Sequence, residues 1–200
     1  MPETDSPTQR VLEAAARKGV SLTVHVFDES THTAEEAGRA VGAELGQIVK
    51  SLIFVAPAED GGLEPILCLV SGANRVDVAR LAAVTGEPAV RRATAREAHD
   101  LTGYSIGGIP PIGHRVPLRV IMDPDLGRFQ VVWAAAGTET AVFPVPPATL
   151  RSLANATVAP ITEEVRRADA EAAATGAAGG GQGGFGGGLA GQPSAQRAGA

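Results

Sequence analysis

A lysine inside an apolar strand is the first residue of this sequence with chemistry to offer. Lys50 stands within Ile48-Val49-Lys50-Ser51-Leu52-Ile53-Phe54-Val55-Ala56, and the two-residue period of a strand puts it on the face of Ile48, Leu52 and Phe54. Burying even a neutral polar group without a partner costs roughly 2–7 kcal/mol, and an ammonium costs more. Lys50 therefore either snorkels out at the start of the strand or lines a cleft where an anion meets it. The strand pattern alone favours snorkelling. A second unusual stretch is Gly103-Tyr104-Ser105-Ile106-Gly107-Gly108-Ile109-Pro110-Pro111-Ile112-Gly113-His114. Paired glycines beside paired prolines set permissive and stiff positions side by side, a combination that can aim backbone groups at a ligand. The stretch lacks the Lys-Ser/Thr ending of a phosphate loop.

Other chemistries find little support. The histidines (His25, His32, His99, His114) are scattered, and no Gly-x-Ser-x-Gly elbow exists for a nucleophilic serine. Cys68 lies within Ile66-Leu67-Cys68-Leu69-Val70, where a buried inert thiol is expected rather than a nucleophile. One cysteine and four separated histidines give no zinc-ligand cluster, so no metal or other cofactor is expected. Asp123 precedes Pro124 and reads as the cap of a turn. Arg75 and Asp77 follow a strand end, where ion pairing or helix capping is the ordinary role.

The elements that must position these residues are legible in outline. The chain has 200 residues and 44 % hydrophobic content, enough for one domain with a core. Aromatics are only 4 %, so that core must be aliphatic. Ser6-Pro7 opens a helix that Gly19 stops. Val20 to Val26 alternates as a half-buried strand, and Thr33-Ala34-Glu35-Glu36 caps a helix through Val41. Ile48–Ala56 and Pro65–Ser71 read as a strand pair joined by Asp60-Gly61-Gly62. Helices capped by Asp77 and Thr94 follow, then strands at Leu118–Met122, Phe129–Ala135 and Thr140–Phe143. A helix from Pro147 to Asn155 and a strand near Val158–Ile161 close the domain. Hairpins mixed with helices predict an α+β fold, a single domain with a mixed, largely antiparallel sheet flanked by short helices. The domain is expected to occupy residues 1–165. Residues 166–200 read as a flexible tail, because 11 of the 25 glycines fall in 176–200 with a single charge, Arg197. No signal peptide and no apolar run long enough to span a membrane is present, so a cytoplasmic protein is expected.

Net charge is −5, yet residues 75–119 carry 7 basic against 4 acidic groups. Such a stretch can dock a phosphate-bearing ligand locally, although a solvated face with ordinary ion pairs accounts for it equally from charge alone.

Taken in order, five pieces resemble the YbaK/prolyl-tRNA deacylase-like family, which also occurs as the editing insertion of bacterial prolyl-tRNA synthetases. They are Thr33-Ala34-Glu35-Glu36-Ala37, Ile48 to Phe54, Gly72-Ala73-Asn74-Arg75-Val76-Asp77, the Gly103–Gly113 loop, and Met122-Asp123 followed by Trp133-Ala134-Ala135-Ala136-Gly137. The resemblance spans roughly residues 8 to 162. It implies hydrolysis, in trans, of the ester joining a wrong amino acid to the terminal ribose of a tRNA, probed by the enzyme without a cofactor and with assistance from the substrate. The partner implied is the tRNA acceptor end with its amino acid, with an aminoacyl-tRNA synthetase as a second. Lys50 and Gly108 are then the expected catalytic residues, and Gly107, Ile109, Pro111, Gly113, His114 and Arg75 the expected substrate contacts. Pro110, where members often have Ser, and Ala136-Gly137-Thr138, in place of a Ser-x-Gly pattern, are departures that bear on substrate identity. Two further readings stay open: a non-catalytic binder of tRNA ends or of a synthetase, and a small-molecule ester hydrolase. The desolvation cost of Lys50 also predicts that Lys50→Ala raises stability.

Overall fold

A strand that is apolar on both faces needs a cover on each side, and the structure supplies two. The structure, a computed structural model, describes residues 6–27, 33–58 and 61–163. The chain divides between Glu163 and Glu164 into two units, and all described residues belong to the first. The tail expected from residue 166, His32 and Asp60 of the expected turn lie outside the described residues.

In chain order the elements are α1 (Pro7–Ala16), β1 (His25–Val26), α2 (Ala34–Val41), β2 (Val49–Pro57), β3 (Leu63–Ser71), α3 (Val78–Thr85), β4 (Arg91–Arg92), α4 (Ala95–Thr102), β5 (Arg119–Met122), β6 (Val132–Ala135), β7 (Ala141–Val145), α5 (Pro147–Ala154) and β8 (Thr157–Val158). Single 3-10 turns at Leu45–Gln47 and Pro124–Arg128 precede β2 and β6. Five strands form one sheet in the order β4-β2-β3-β5-β8, and three form a second in the order β1-β7-β6. The β2–β3 hairpin is antiparallel along its whole length, while β3–β5 and β5–β8 run parallel. The fold is thus α+β with a mixed sheet and an antiparallel one.

Val49, Ile53 and Val55 of β2 face a core shared with Val11, Ala98, Ile109, Phe143 and Leu150. Phe54 and Ala56 face a second core with Cys68, Val70, Leu81 and Ile161. The helix caps form as the sequence dictates: Thr33 and Thr94 each close a capping box with Glu36 and Glu97, and Asp77 accepts from Ala79 and Arg80 N–H.

The alternation from Val20 to Val26 predicts a longer strand than the chain makes. Only His25 and Val26 pair, with Val142 and Ala141 of β7. Val20, Leu22 and Val24 do pack against the core, but no strand lies beside them, so their alternation records burial without a ladder. The two-residue β4 carries no readable strand signal, and the 3-10 turn at Leu45–Gln47 is not expected from the sequence.

Candidate functional site

The site is built where β2 loses a neighbour. Ala93 N–H donates to Ile53 O at 2.9 Å, which turns the backbone groups of Ile53 away from β3. In an antiparallel pair those directions alternate, so Val49, Ser51 and Val55 turn the same way. Strand β4 covers that edge at Phe54 and Val55, and Trp133 of β6 bridges Ile48. Between the two, the edge stays open at Ser51.

A cleft of about 220 Å³ occupies this gap. Its walls come from α2 (Ala37, Val41), from Ile48 and residues 49–53 of β2, from Ala93 and Ala98, and from Ile106, Gly107 and Ile109 of the glycine-proline loop. Trp133, Ala135, Thr138, Glu139 and Val142 also line it. The lining is mainly aliphatic, with Lys50, Arg92 and Glu139 as its charged members. Trp133 is steadied by an edge contact with the His25 ring at 5.1 Å.

Lys50 lines the cleft and does not simply snorkel to water. Its ammonium donates to Gly72 O at 2.9 Å and to Asn74 O, so it ties β2 to the loop that follows β3. That loop is braced in turn. Asn74 Nδ2 donates to Asp123 Oδ2 at 2.7 Å and to Asp125 Oδ2 at 2.8 Å. Asp123 is fully buried and caps the Pro124–Arg128 turn through Asp125 N–H, the turn-capping role read from Asp123-Pro124. Gly72 has no room for a side chain, because a Cβ there would lie 2.3 Å from Leu45 O.

Of the other expected site residues, the structure brings Gly107 and Ile109 to the cleft with Lys50 and leaves the rest elsewhere. Gly108 is not among the residues that line the cleft. Its N–H donates to Ser105 O at 3.1 Å, and a Cβ would meet the Thr138 backbone at 2.7 Å. Gly108 therefore packs the loop against the β6–β7 turn, and its amide is already spent. Pro111, Gly113 and His114 line a separate, shallower depression with Arg17, Lys18 and Arg115. Gly113 O accepts from the buried Tyr104 hydroxyl at 2.8 Å, and Arg10 lies over the Tyr104 ring at 4.7 Å while bonding Gly103 O. His114 is half-buried: Nε2 bonds Pro110 O at 2.7 Å, and burial pulls its pKa down to about 4. The ring is neutral at pH 7 and holds the loop. Arg75 is exposed and outside the cleft lining.

Cys68 is buried in the sheet, and desolvation pushes its thiol up to about 12, so it is no nucleophile at neutral pH. Among the described residues no three His, Cys, Asp or Glu side chains gather as a metal site. No helix among the described residues is long and apolar enough to cross a membrane.

Sequence reasoning missed Ser51. Its Oγ is buried without a hydrogen-bond partner, the single such side-chain atom among the described residues. A serine alternating with Lys50 carries no signal in the sequence, because strand parity and neighbour gaps decide what it meets.

Residues 28–153 match the model of the aminoacyl-tRNA editing domain. The chain belongs to that family. It is 31 % identical over 121 residues to the uncharacterised protein YwhH of Bacillus subtilis, covering 60 % of this chain and 74 % of that one. It is 28 % identical over 130 residues to the multifunctional Ser/Thr-tRNA deacylase ProXp-y of Escherichia coli, 64 % of this chain and 77 % of the relative. A crystal structure of a candidate trans-editing enzyme for prolyl tRNA synthetase superposes with a TM-score of 0.72 at 46 % identity, covering 78 % of this chain and 97 % of that one. The editing-domain fold expected from the sequence is the fold observed.

Proposed function

We propose that this protein is an aminoacyl-tRNA deacylase that hydrolyses the ester of a mischarged tRNA in trans. What carries the reading is that Lys50, Gly107 and Ile109, the first distant in sequence from the other two, line one small and mainly aliphatic cleft. Such a cleft suits a short amino-acid side chain, and the positive charge of Lys50 suits the phosphate-bearing end of the tRNA. Family membership and the likeness to a Ser/Thr-tRNA deacylase support the same conclusion.

The chemistry asks little of the protein. Water adds to the ester carbonyl carbon, the carbonyl oxygen becomes an oxyanion, and the C–O bond to the ribose breaks as that oxygen takes a proton. An aminoacyl ester is activated, so holding the ester and a water in register supplies much of the rate. A neighbouring ribose hydroxyl of the substrate can orient the water. Glu139 is the carboxylate among the cleft residues described and can hold that water too.

The binding-only reading draws on one observation: two bonds of the Lys50 ammonium go to backbone carbonyls, a bracing role that a non-catalytic scaffold would keep. One experiment separates these. The purified full chain is incubated with a panel of mischarged tRNAs and with the matching amino-acid ethyl esters, and ester loss is followed. Hydrolysis of a tRNA ester supports the proposal. Binding without turnover overturns it in favour of the scaffold, and equal turnover of ethyl esters overturns it in favour of a small-molecule esterase.

A further inference from the structure

We propose that the open edge of β2 at Ser51 receives the aminoacyl group of the substrate as a one-residue strand. This rests on the deacylase reading and specifies how the cleft holds the ester. The edge is covered on one side of Ser51 by the Ile53–Ala93 bond and closed on the other by the Ile48–Trp133 bridge. What remains is room for one residue's worth of pairing, with the N–H and C=O of Ser51 both turned into the cleft.

An aminoacyl ester has the complementary face. Its α-amino group donates and its carbonyl oxygen accepts, on the same edge and one residue apart, like any residue of an antiparallel partner. Ser51 C=O accepts from the amino group, and Ser51 N–H donates to the ester carbonyl oxygen. That same N–H stays on the oxygen as it becomes an oxyanion, a role that Gly108 cannot fill because its amide is bonded to Ser105 O.

Antiparallel pairing also sets direction. The amino end points toward Ile53 and Ala93, and the ribose points toward the start of β2, the end that carries Lys50. Directly paired residues share a face, so the amino-acid side chain lies beside that of Ser51, on the face of Val49 and Ile53. Ser51 as a residue is half-buried while its Oγ is fully so. The surface it shows to the cleft is therefore main chain and Cβ. The unpartnered Oγ stands one χ1 rotation from the bound side chain.

Two measurements test this. Ser51→Pro removes the N–H at an edge position where the β3 ladder does not use it, so a proline can be accommodated. We expect kcat/KM on a mischarged tRNA to fall by about a hundredfold or more, the scale of one oxyanion donor. Ser51→Ala, which keeps the amide, should lose less than about tenfold. A folded Ser51→Pro protein with the activity of Ser51→Ala overturns the proposal. Should the proline variant not fold, backbone amide exchange on the parent chain decides. The probe is adenosine carrying alanine at its 3′ carbon through an amide in place of the ester. At saturation the Ser51 amide should exchange at least about tenfold more slowly, with Leu52, already bonded to β3, unchanged. An unchanged Ser51 amide overturns the pairing, whether or not the probe shifts other cleft resonances. Protection of Ser51 in a parent that hydrolyses no mischarged tRNA would uphold the pairing and sink the deacylase reading instead.

Discussion

Lys50 and Ser51 are adjacent in the chain, and the protein treats them in opposite ways. The Lys50 ammonium is drawn into a network in which it bonds Gly72 O and Asn74 O, and Asn74 bonds two carboxylates. Ser51 faces the other side of β2 with a buried hydroxyl that meets nothing. Buried polar groups are ordinarily paired within the fold. A charge that has been given partners is part of the fold's own frame, whatever else it does. The strand position left with an unpartnered group is where we place the substrate.

The largest expected effect breaks the Lys50 side of this pair. Lys50→Ala should reduce single-turnover hydrolysis of mischarged tRNA by about a hundredfold or more, and Lys50→Arg should rescue poorly, since a planar fork cannot replace a point charge between two carbonyls. The bonds observed reverse the stability expected from the sequence. Losing them should lower stability by roughly 1–3 kcal/mol, read as a reduced Tm or denaturant midpoint, because two carbonyls lose their donor. An unchanged or raised Tm would return Lys50 to the unpaired state that the strand pattern alone suggests.

Next comes the wall of the cleft. Gly108→Ala places a methyl 2.7 Å from the Thr138 backbone. The loop or the turn must shift, at a cost of about 1–3 kcal/mol. Because Gly107 and Ile109 on one side and Thr138 and Glu139 on the other line the cleft, kcat should fall along with the Tm. A variant with parental melting and turnover would show that this packing is looser than described.

Asn74→Ala tests the brace behind Lys50 while keeping the Asn74 carbonyl that Lys50 uses. The buried Asp123 carboxylate loses its amide donor, and stability should fall by about 1–3 kcal/mol. Activity should fall less than in Lys50→Ala. A loss equal to that of Lys50→Ala would mean that the brace, not the ammonium, sets the rate.

The last effect is a pH dependence. The pKa of His114 drops from an ordinary 6.5 to about 4 in the folded chain because burial disfavours the charged ring. Between those values the unfolded chain binds the extra proton, so stability rises with pH across that window and is lost as pH falls from 6.5 toward 4. His114→Gln should flatten the slope of Tm between pH 6.5 and 4. Glu97, held down to about 2 chiefly by its hydrogen bond from Arg91, loses its contribution only at lower pH. The two contributions can thus be separated by titrating the Tm.

How much of this the sequence reveals depends on what the signal is made of. Helix caps and the β2–β3 hairpin are local patterns, and Thr33, Thr94 and Asp77 stand where their types predict. The cleft is partly legible: Lys50, Gly107 and Ile109 carry the family pattern and do meet. Gly108, Pro111, Gly113 and His114 share that motif but lie outside the cleft lining, since a conspicuous loop does not say which of its faces looks inward. Ser51 is the opposite case. Its importance lies in a missing neighbour strand, and no residue type records an absence.

Cys68 closes off one kind of chemistry and opens a practical one. With the thiol at the centre of the sheet and pushed up to about 12, almost none of it is thiolate at neutral pH, and reagents have no path to it. It lies outside the cleft, in the core with Phe54, Val70, Leu81 and Ile161, which must open before it is exposed. A thiol label added to the protein therefore counts openings of that core, one event per modified chain. The chain's lone cysteine is a built-in clock for its own unfolding, readable without altering a residue.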